Sequence, residues 1–217
     1  KDISGPDGVP DGVIDDYDKT NIGSPMPKFT FGWTNTFRYK NFDLSVFING
    51  SYGNKVYNYL SMKLTHMNSP WTNQLNAVNG RAQLVPINPN KVYEDGTMWY
   101  NDVSNVMVAN PGASIPRATI NDPNDNDRIS DRYIEDGSYI RLKNISLGYT
   151  FPKKTIDKLG LSNLRIYANI QNLLTITGYD GYDPEIGAST SSVNVYGLDN
   201  GRYPSPTVYS FGLNVSF

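Results

Sequence analysis

The sequence contains no cysteine and only one histidine among its 217 residues. The lack of cysteine excludes disulfide scaffolds, zinc sites built from thiolates and thiol nucleophiles. Charged residues make up only 18% of the chain, the formal net charge is -2, and lysines and arginines are scattered rather than clustered. Because nucleic-acid-binding proteins need a basic patch to neutralise phosphates, nucleic acid is not expected as a partner.

Long hydrophobic runs are missing as well. No stretch of about 18 or more apolar residues occurs, so the sequence predicts no transmembrane helix. Barrel strands give a much weaker hydropathy signal, which leaves a transmembrane β-barrel open. Aromatic residues reach 12%, including 16 tyrosines, and favour strand-rich structure because bulky side chains pack well on a pleated surface. The chain begins at Lys1 with neither an initiator methionine nor a signal-peptide pattern, and we interpret this start as an internal cut.

Five segments alternate apolar and polar residues with the period of two that places successive side chains on opposite faces of a β-strand. These predicted strands lie near 29–39, 42–52, 138–151, 163–173 and 207–217. The two-residue link Lys40-Asn41 between the first two strands predicts a tight hairpin. Within the third strand the apolar residues change phase, which indicates either a β-bulge or a strand that leaves the membrane into a protruding loop.

The links between these strands alternate in length. Segments 40–41 and 152–162 are short, whereas segments 53–137 and 175–206 are long. Outer-membrane barrels have short periplasmic turns and longer extracellular loops. We therefore predict that the long segments are extracellular, that residues 1–28 end another extracellular loop, and that the C-terminus is periplasmic. Five strands are too few, and odd in number, for a closed single-chain barrel, so we expect further strands outside this sequence.

The last strand carries apolar side chains at every second position up to an aromatic final residue. These residues are Tyr209, Phe211, Leu213, Val215 and Phe217. The pattern resembles the C-terminal signal by which the barrel-assembly machinery recognises outer-membrane proteins for insertion, physically an extended strand captured by edge pairing. A soluble antiparallel sandwich would show the same alternation of faces. Aromatic residues at strand ends, the alternating link lengths and the terminal phenylalanine together favour the membrane barrel.

Four stretches in the same order resemble the C-terminal region of the SusC/RagA-type TonB-dependent transporters of the Bacteroidetes. They are DGVPDGVIDDYDKTNIGSPMPKFTFGWTNTFRYKNFDLSVFINGSYGNKVYN, RYIEDGSYIRLKNISLGYTFP, LRIYANIQNLLTITGYDGYDPEIG and the terminal strand TVYSFGLNVSF. The resemblance covers nearly the whole chain and departs from the family mainly in the loop from about Ser61 to Thr119.

This resemblance implies an all-β fold in which residues 29–217 form the C-terminal strands of a transmembrane barrel of about 22 antiparallel strands. It also implies a plug domain and a TonB-contacting segment in N-terminal sequence outside this chain, and a SusD-like surface lipoprotein as a lid. Transporters of this type import oligosaccharides or oligopeptides across the outer membrane of Gram-negative bacteria. The resemblance implies further that outer-membrane lipid surrounds the barrel.

One acidic run approximates a calcium-binding loop, which needs carboxylates at alternating positions and a glycine for its sharp turn. The candidate ligands are Asp7, Asp11, Asp15 and Asp18. Gly12 fits the pattern, whereas Val9 stands where a further ligand is expected. The alternative is a solvated, turn-rich loop. A second acidic run at 122–131 is predicted to be a loop, because Asp127 occupies the glycine position.

Aromatic residues in the long loops are candidates for stacking on sugars or covering peptides. They are Trp71, Trp99, Tyr100, Tyr179, Tyr182, Tyr196 and Tyr203. The alternative for any one of them is packing within its loop. Catalysis is not expected, because His66 stands without a recognisable nucleophile motif and the paired carboxylates are adjacent in turns.

The leading functional hypothesis is active import of oligosaccharides or oligopeptides, to which this chain contributes barrel wall and loops. Within membranes the alternative is a TonB-dependent importer of metal chelates, which the plug sequence would distinguish. From another class, a secreted, soluble, calcium-stabilised carbohydrate-binding β-domain predicts solubility without detergent. The barrel segment predicts aggregation instead.

Overall fold

A computed structural model describes residues 2–122, 124–185 and 196–217. The strands are β1 (Phe29–Tyr39), β2 (Phe42–Tyr52), β3 (Lys55–Asn58), β4 (Leu84–Pro86), β5 (Val106–Val108), β6 (Ile134–Asp136), β7 (Tyr139–Thr150), β8 (Asn163–Thr177), β9 (Leu198–Asp199) and β10 (Val208–Ser216). The α-helices are α1 (Tyr59–Thr65) and α2 (Lys153–Ile156), and 3-10 turns cover Asp16–Asp18, Asn76–Gly80, Trp99–Asn101, Val103–Asn105, Asp131–Tyr133 and Asp157–Leu159. Among the described residues, no helix is both long and apolar enough to cross a membrane.

The chain divides into two compact units. The sheet unit comprises Lys1–Tyr57, Ser130–Leu198 and Tyr203–Phe217, and the loop unit comprises Asn58–Ile129 and Asp199–Arg202. The loop unit therefore consists almost entirely of residues from the long link between β2 and β7. Part of the second long predicted loop, residues 186–195, lies outside the described residues.

Five long strands form one antiparallel sheet in the order β1-β2-β7-β8-β10. This arrangement confirms the predicted all-β, antiparallel fold class. The first hairpin turns at Lys40, whose φ is 53°, and Gly160 ends the short connection after α2 in a left-handed conformation. The structure extends the fourth strand to Thr177, four residues past its predicted end at 173, because β7 continues outward beside it.

The phase change in the third strand is a β-bulge at Lys143. Towards β2, Leu142 pairs with Ile48 and Asn144 pairs with Phe47, so that no residue of β2 lies opposite Lys143. Because Ile48 and Phe47 are consecutive, the pairing absorbs one extra residue on β7. Ile140 and Leu142, before the bulge, therefore lie on the same face as Ile145 and Leu147 after it.

Pairing register separates the sheet into one apolar and one polar face. An apolar row crosses all five strands through Phe37, Leu44, Leu147, Ala168 and Phe211. The next row crosses the same strands through Arg38, Asp43, Gly148, Tyr167 and Gly212. The apolar side chains are largely exposed in this chain, and an apolar surface of this extent needs a nonpolar environment or a partner.

Glycines on the polar face leave room for larger neighbours. A Cβ at Gly148 would overlap the guanidinium of Arg165, which forms an ion pair with Asp43 at 2.6 Å. A Cβ at Gly212 would overlap the ring of Tyr167, the cross-strand partner of that glycine. The missing side chains therefore let an ion pair and an aromatic ring lie flat against the sheet.

A second, three-stranded sheet has the order β6-β3-β9. Val56 of β3 is 1% exposed, and the ring of Tyr57 meets that of Tyr133 edge-on with centroids 6.5 Å apart. Gly137 lies over Val56 and Asn54, and its N–H donates to the Asn54 carbonyl at 2.9 Å. This small core anchors the start of β7 to the end of β2.

Hydrogen bonds between polar side chains stabilise the loop unit. Asn105 is buried, and its amide donates to the Asn88 carbonyl and to the Tyr93 hydroxyl at 3.1 and 2.9 Å. Asp102 accepts hydrogen bonds from Lys91, Tyr93 and Ser104, which hold the pKa of Asp102 well below its usual range. Satisfied polar groups of this kind stabilise a unit that has few buried apolar side chains.

Replacement of Gly50 even by alanine is predicted to destabilise the sheet. A Cβ at this position would lie 2.6 Å from both the backbone oxygen of Tyr139 and the ring of Phe31. Because backbone in a paired strand cannot move aside, we expect Gly50→Ala to lower the free energy of unfolding by about 1–3 kcal/mol. Denaturant titration of the full-length protein, followed by heat-modifiable gel migration, measures this change.

Gly32→Ala is the matched control, because its Cβ would approach only the edge of the Phe47 ring, at 3.2 Å. We expect this second variant to unfold close to the wild-type midpoint. Equal unfolding of both variants would contradict the steric explanation.

Candidate functional site

The polar face of the five-stranded sheet is the candidate functional surface. Hydroxyl and amide side chains dominate it, for example in the row Thr36, Ser45, Ser146, Asn169 and Ser210. Such groups donate and accept hydrogen bonds without carrying charge. The face therefore suits contact with neutral polar groups or water.

Arg141 forms the centre of a charged network near the end of this face where the long loops emerge. The residue is only 2% exposed. Its guanidinium forms ion pairs with Asp183 and, at 2.7 Å, with Glu185, and its Nε donates to the Thr175 hydroxyl at 2.9 Å. Lys143 also bonds Glu185 at 2.7 Å. The bulge thus places a second cation beside the same acid.

Asp183 joins this network to two further parts of the loop. It accepts hydrogen bonds from the backbone N–H groups of Glu185 and Ser205 at 2.9 and 3.0 Å. Burial alone would raise the pKa of Asp183, but the hydrogen bonds from Arg141, Ser205 and Glu185 outweigh it and hold the pKa below its usual value. The acid is thus held ionised and fastens the loop to the wall of the sheet.

The structure distributes the seven predicted loop aromatics between the two units. Trp71, Trp99 and Tyr100 belong to the loop unit, whereas Tyr179, Tyr182, Tyr196 and Tyr203 belong to the sheet unit. Most are exposed, with Trp71 at 93% and Tyr203 at 84%. Tyr179 differs, because it is buried and its ring covers Gly181. Loop packing explains Tyr179, and ligand contact stays a prediction for the exposed residues.

The four predicted calcium ligands mostly cap turns. Asp18 accepts from the backbone N–H groups of Ile3, Ser4 and Asp15, and these bonds lower the pKa of Asp18. Asp15 and Asp11 accept from the N–H groups two residues later, whereas Asp7 is exposed. Within the described part of the chain, no three of these carboxylates lie within common ligand distance. Calcium binding stays a prediction that requires rearrangement of this loop.

The side chains of the predicted insertion signal project from one face of β10. Tyr209, Phe211 and Leu213 pair with Ile170, Ala168 and Ile166 of β8. Phe217 at the chain end is 93% exposed. The geometry is that of an extended amphipathic edge strand, and its recognition during insertion stays a prediction.

Sequence reasoning missed the residues that carry the loop network, Arg141, Lys143, Asp183 and Glu185. Two of these residues could have been noticed in the sequence. Arg141 and Lys143 interrupt an apolar strand, and charged residues in such a setting are usually paired. Their acids lie more than forty residues away along the chain, and pairing over that separation is visible only after folding.

Comparisons of the sequence with known proteins point to one group of receptors. No protein-family model matches the chain. TonB-dependent receptor P3 of Formosa agariphila is 36% identical over 211 residues, which cover 95% of this chain and 18% of that receptor. TonB-dependent receptor SusC of Bacteroides thetaiotaomicron is 29% identical over 209 residues, covering 95% of the chain and 17% of SusC. The chain thus spans less than a fifth of the length of these relatives.

Solved structures share the fold. The RagAB peptide transporter matches with a TM-score of 0.65 and 21% identity, over 90% of this chain and 18% of the solved chain. The RagAB peptide importer in its open-open state matches with a TM-score of 0.66 and 20% identity, over 98% of this chain and 20% of the solved chain. The five-stranded sheet with its loops therefore has the fold of a segment of these solved transporter chains.

Arg141→Gln is expected to release the loop that contains Asp183 and Glu185. Loss of the guanidinium leaves a largely buried carboxylate unpaired, which costs several kcal/mol. We therefore expect backbone hydrogen exchange at 183–185 and 203–206 to accelerate by roughly tenfold or more in the full-length protein, while β1 and β2 keep their protection.

Lys143→Gln is the matched control, because among the described residues Lys143 bonds the more exposed acid, Glu185, and is itself one-third exposed. A much smaller effect is expected for this variant. Unchanged exchange in Arg141→Gln, or equal acceleration in both variants, would show that the arginine does not anchor the loop.

Proposed function

We propose that this chain, a segment of a TonB-dependent receptor of the SusC type, forms wall and outer loops of a transporter that imports oligosaccharides or oligopeptides across the outer membrane. The observation that carries the proposal is the two-faced sheet of a chain homologous to such receptors over 95% of its length. An apolar face meets lipid, and a face of hydroxyl and amide groups lines the interior.

The polar face supports passage of neutral, hydrogen-bonding cargo. Several of its charged groups are paired with each other, as in Asp43 with Arg165 and Arg141 with Asp183 and Glu185. Paired charges attract ionic ligands weakly, whereas hydroxyl and amide groups remain able to exchange hydrogen bonds. Sugars and peptide backbones both offer such partners.

The long loops face the cell exterior in this proposal, and the short connection through α2 and the C-terminus face the periplasm. Loops anchored by the Arg141 network shape the outer mouth. A SusD-like lipoprotein covers that mouth, and TonB acts through a part of the receptor outside this chain. The relatives are named as receptors, and we assign no chemical conversion to this segment.

Single cysteines test the orientation, because the chain has none of its own. Val92 in the loop unit and Leu159 in the short connection are 82% and 68% exposed. In a full-length receptor without other reactive thiols, we expect Val92→Cys to react with a membrane-impermeant maleimide on intact cells. Leu159→Cys should react only after the outer membrane is permeabilised. The reverse labelling pattern would overturn the orientation.

Uptake assays test the function itself. A strain lacking the full-length receptor is compared with its parent for uptake of fluorescent oligosaccharides and oligopeptides, with and without a protonophore. We expect the deletion and the protonophore each to abolish uptake of one cargo class, because TonB-dependent transport is energised from the inner membrane. Loss of only one class identifies the substrate. Unchanged uptake of both would refute the proposed import.

A further inference from the structure

The only histidine of the sequence lies between two aspartates in the loop unit. His66 follows helix α1, and its backbone N–H donates to the Met62 carbonyl at 3.0 Å, which fixes its position at the helix end. Its Nε2 lies 2.9 Å from a carboxylate oxygen of Asp122, and its Nδ1 lies 3.9 Å from one of Asp127. The fold thus joins residues more than fifty positions apart.

These three residues offer one ligand atom each within 4.8 Å of one another. Ligands bound to one zinc ion at about 2.0–2.2 Å are separated by at most about 4 Å. With Nε2 of His66 as the ligand beside Asp122, the Asp127 carboxylate would rotate from the Nδ1 side of the ring towards Nε2 to complete the arrangement. The Asp127 side chain is 43% exposed and has room for this rotation. His66 and Asp122, at 10% and 9% side-chain exposure, form the fixed part of the group.

Asn126 holds the Asp122 carboxylate in place. Its backbone N–H and its side-chain amide donate to the two different oxygens of Asp122, each at 2.5 Å. Hydrogen bonds of this kind orient metal-binding carboxylates from outside the ligand shell. His66 and Asp122 are enclosed, whereas the Asp127 carboxylate is exposed. An ion can therefore enter from the side of Asp127.

We propose that His66, Asp122 and Asp127 bind one divalent transition-metal ion, with zinc as the best fit. Imidazole nitrogen suits zinc better than calcium or magnesium, and two carboxylates supply the charge that balances a dication. Three protein ligands leave a fourth position for water. The bound ion would fasten Asp122 and Asp127 to the end of helix α1, all within the loop unit.

Zinc binding to the full-length receptor, stripped with chelator and dialysed, tests the proposal. We expect His66→Gln and Asp127→Asn each to lose about one equivalent of zinc relative to wild type, or to bind this ion at least about tenfold more weakly. X-ray absorption at the zinc edge should show nitrogen and oxygen ligands and no sulfur. Asp127→Asn guards against misfolding, because its exposed side chain contributes little to packing.

Asp125→Asn is the matched control, since Asp125 lies in the same turn but outside the three-residue group. This variant should bind zinc like the wild type. If wild type and all three variants bind the same amount of zinc with the same affinity, or if wild type binds none, the contact between His66 and Asp122 is an ion pair only and the metal site is refuted.

Discussion

The alternation of side chains along paired strands is the constraint on which this structure depends. Each residue of the five-stranded sheet points to one face or the other, and a register error of one residue would exchange the faces. In lipid this constraint is strict, because every backbone N–H and C=O must find its partner within the barrel. The bulge at Lys143 meets it by absorbing one extra residue without moving Leu142 off the apolar face.

The same bulge connects the sheet to the loop network. Arg141 and Lys143 reach the same acid, Glu185, because the extra residue brings a second cation to that end of the polar face. Arg141 also holds Asp183, whose remaining bonds extend to Ser205. A local irregularity in one strand thus contributes to how the loop that contains Asp183 and Glu185 is fastened to the sheet.

Sequence periodicity predicted the strands well because the alternation of apolar and polar residues within a strand identifies its two faces without information from the rest of the chain. The hairpin at Lys40 was visible for the same reason, and the phase change in the third strand indicated the bulge as one of two alternatives. The burial of Tyr179 and the pairing of Arg141 with Asp183 were not visible, since both depend on how a loop folds back onto the sheet. The acidic run near Asp18 suggested calcium ligands, which stays a prediction, and in the structure Asp18 accepts hydrogen bonds from three backbone N–H groups. Local composition cannot distinguish a metal ligand from a turn cap.

The bulge also has a consequence for changes in the length of β7. Deletion of Lys143 would leave Leu142 and Asn144 opposite the consecutive residues Ile48 and Phe47, where they already pair. Loss of this one residue would therefore keep the apolar and polar faces of β7 aligned with those of β2, whereas loss of one residue elsewhere in the strand would exchange them. The cation that bonds Glu185 thus occupies a position whose loss would change the attachment of the loop while the two faces of β2 and β7 stay in register.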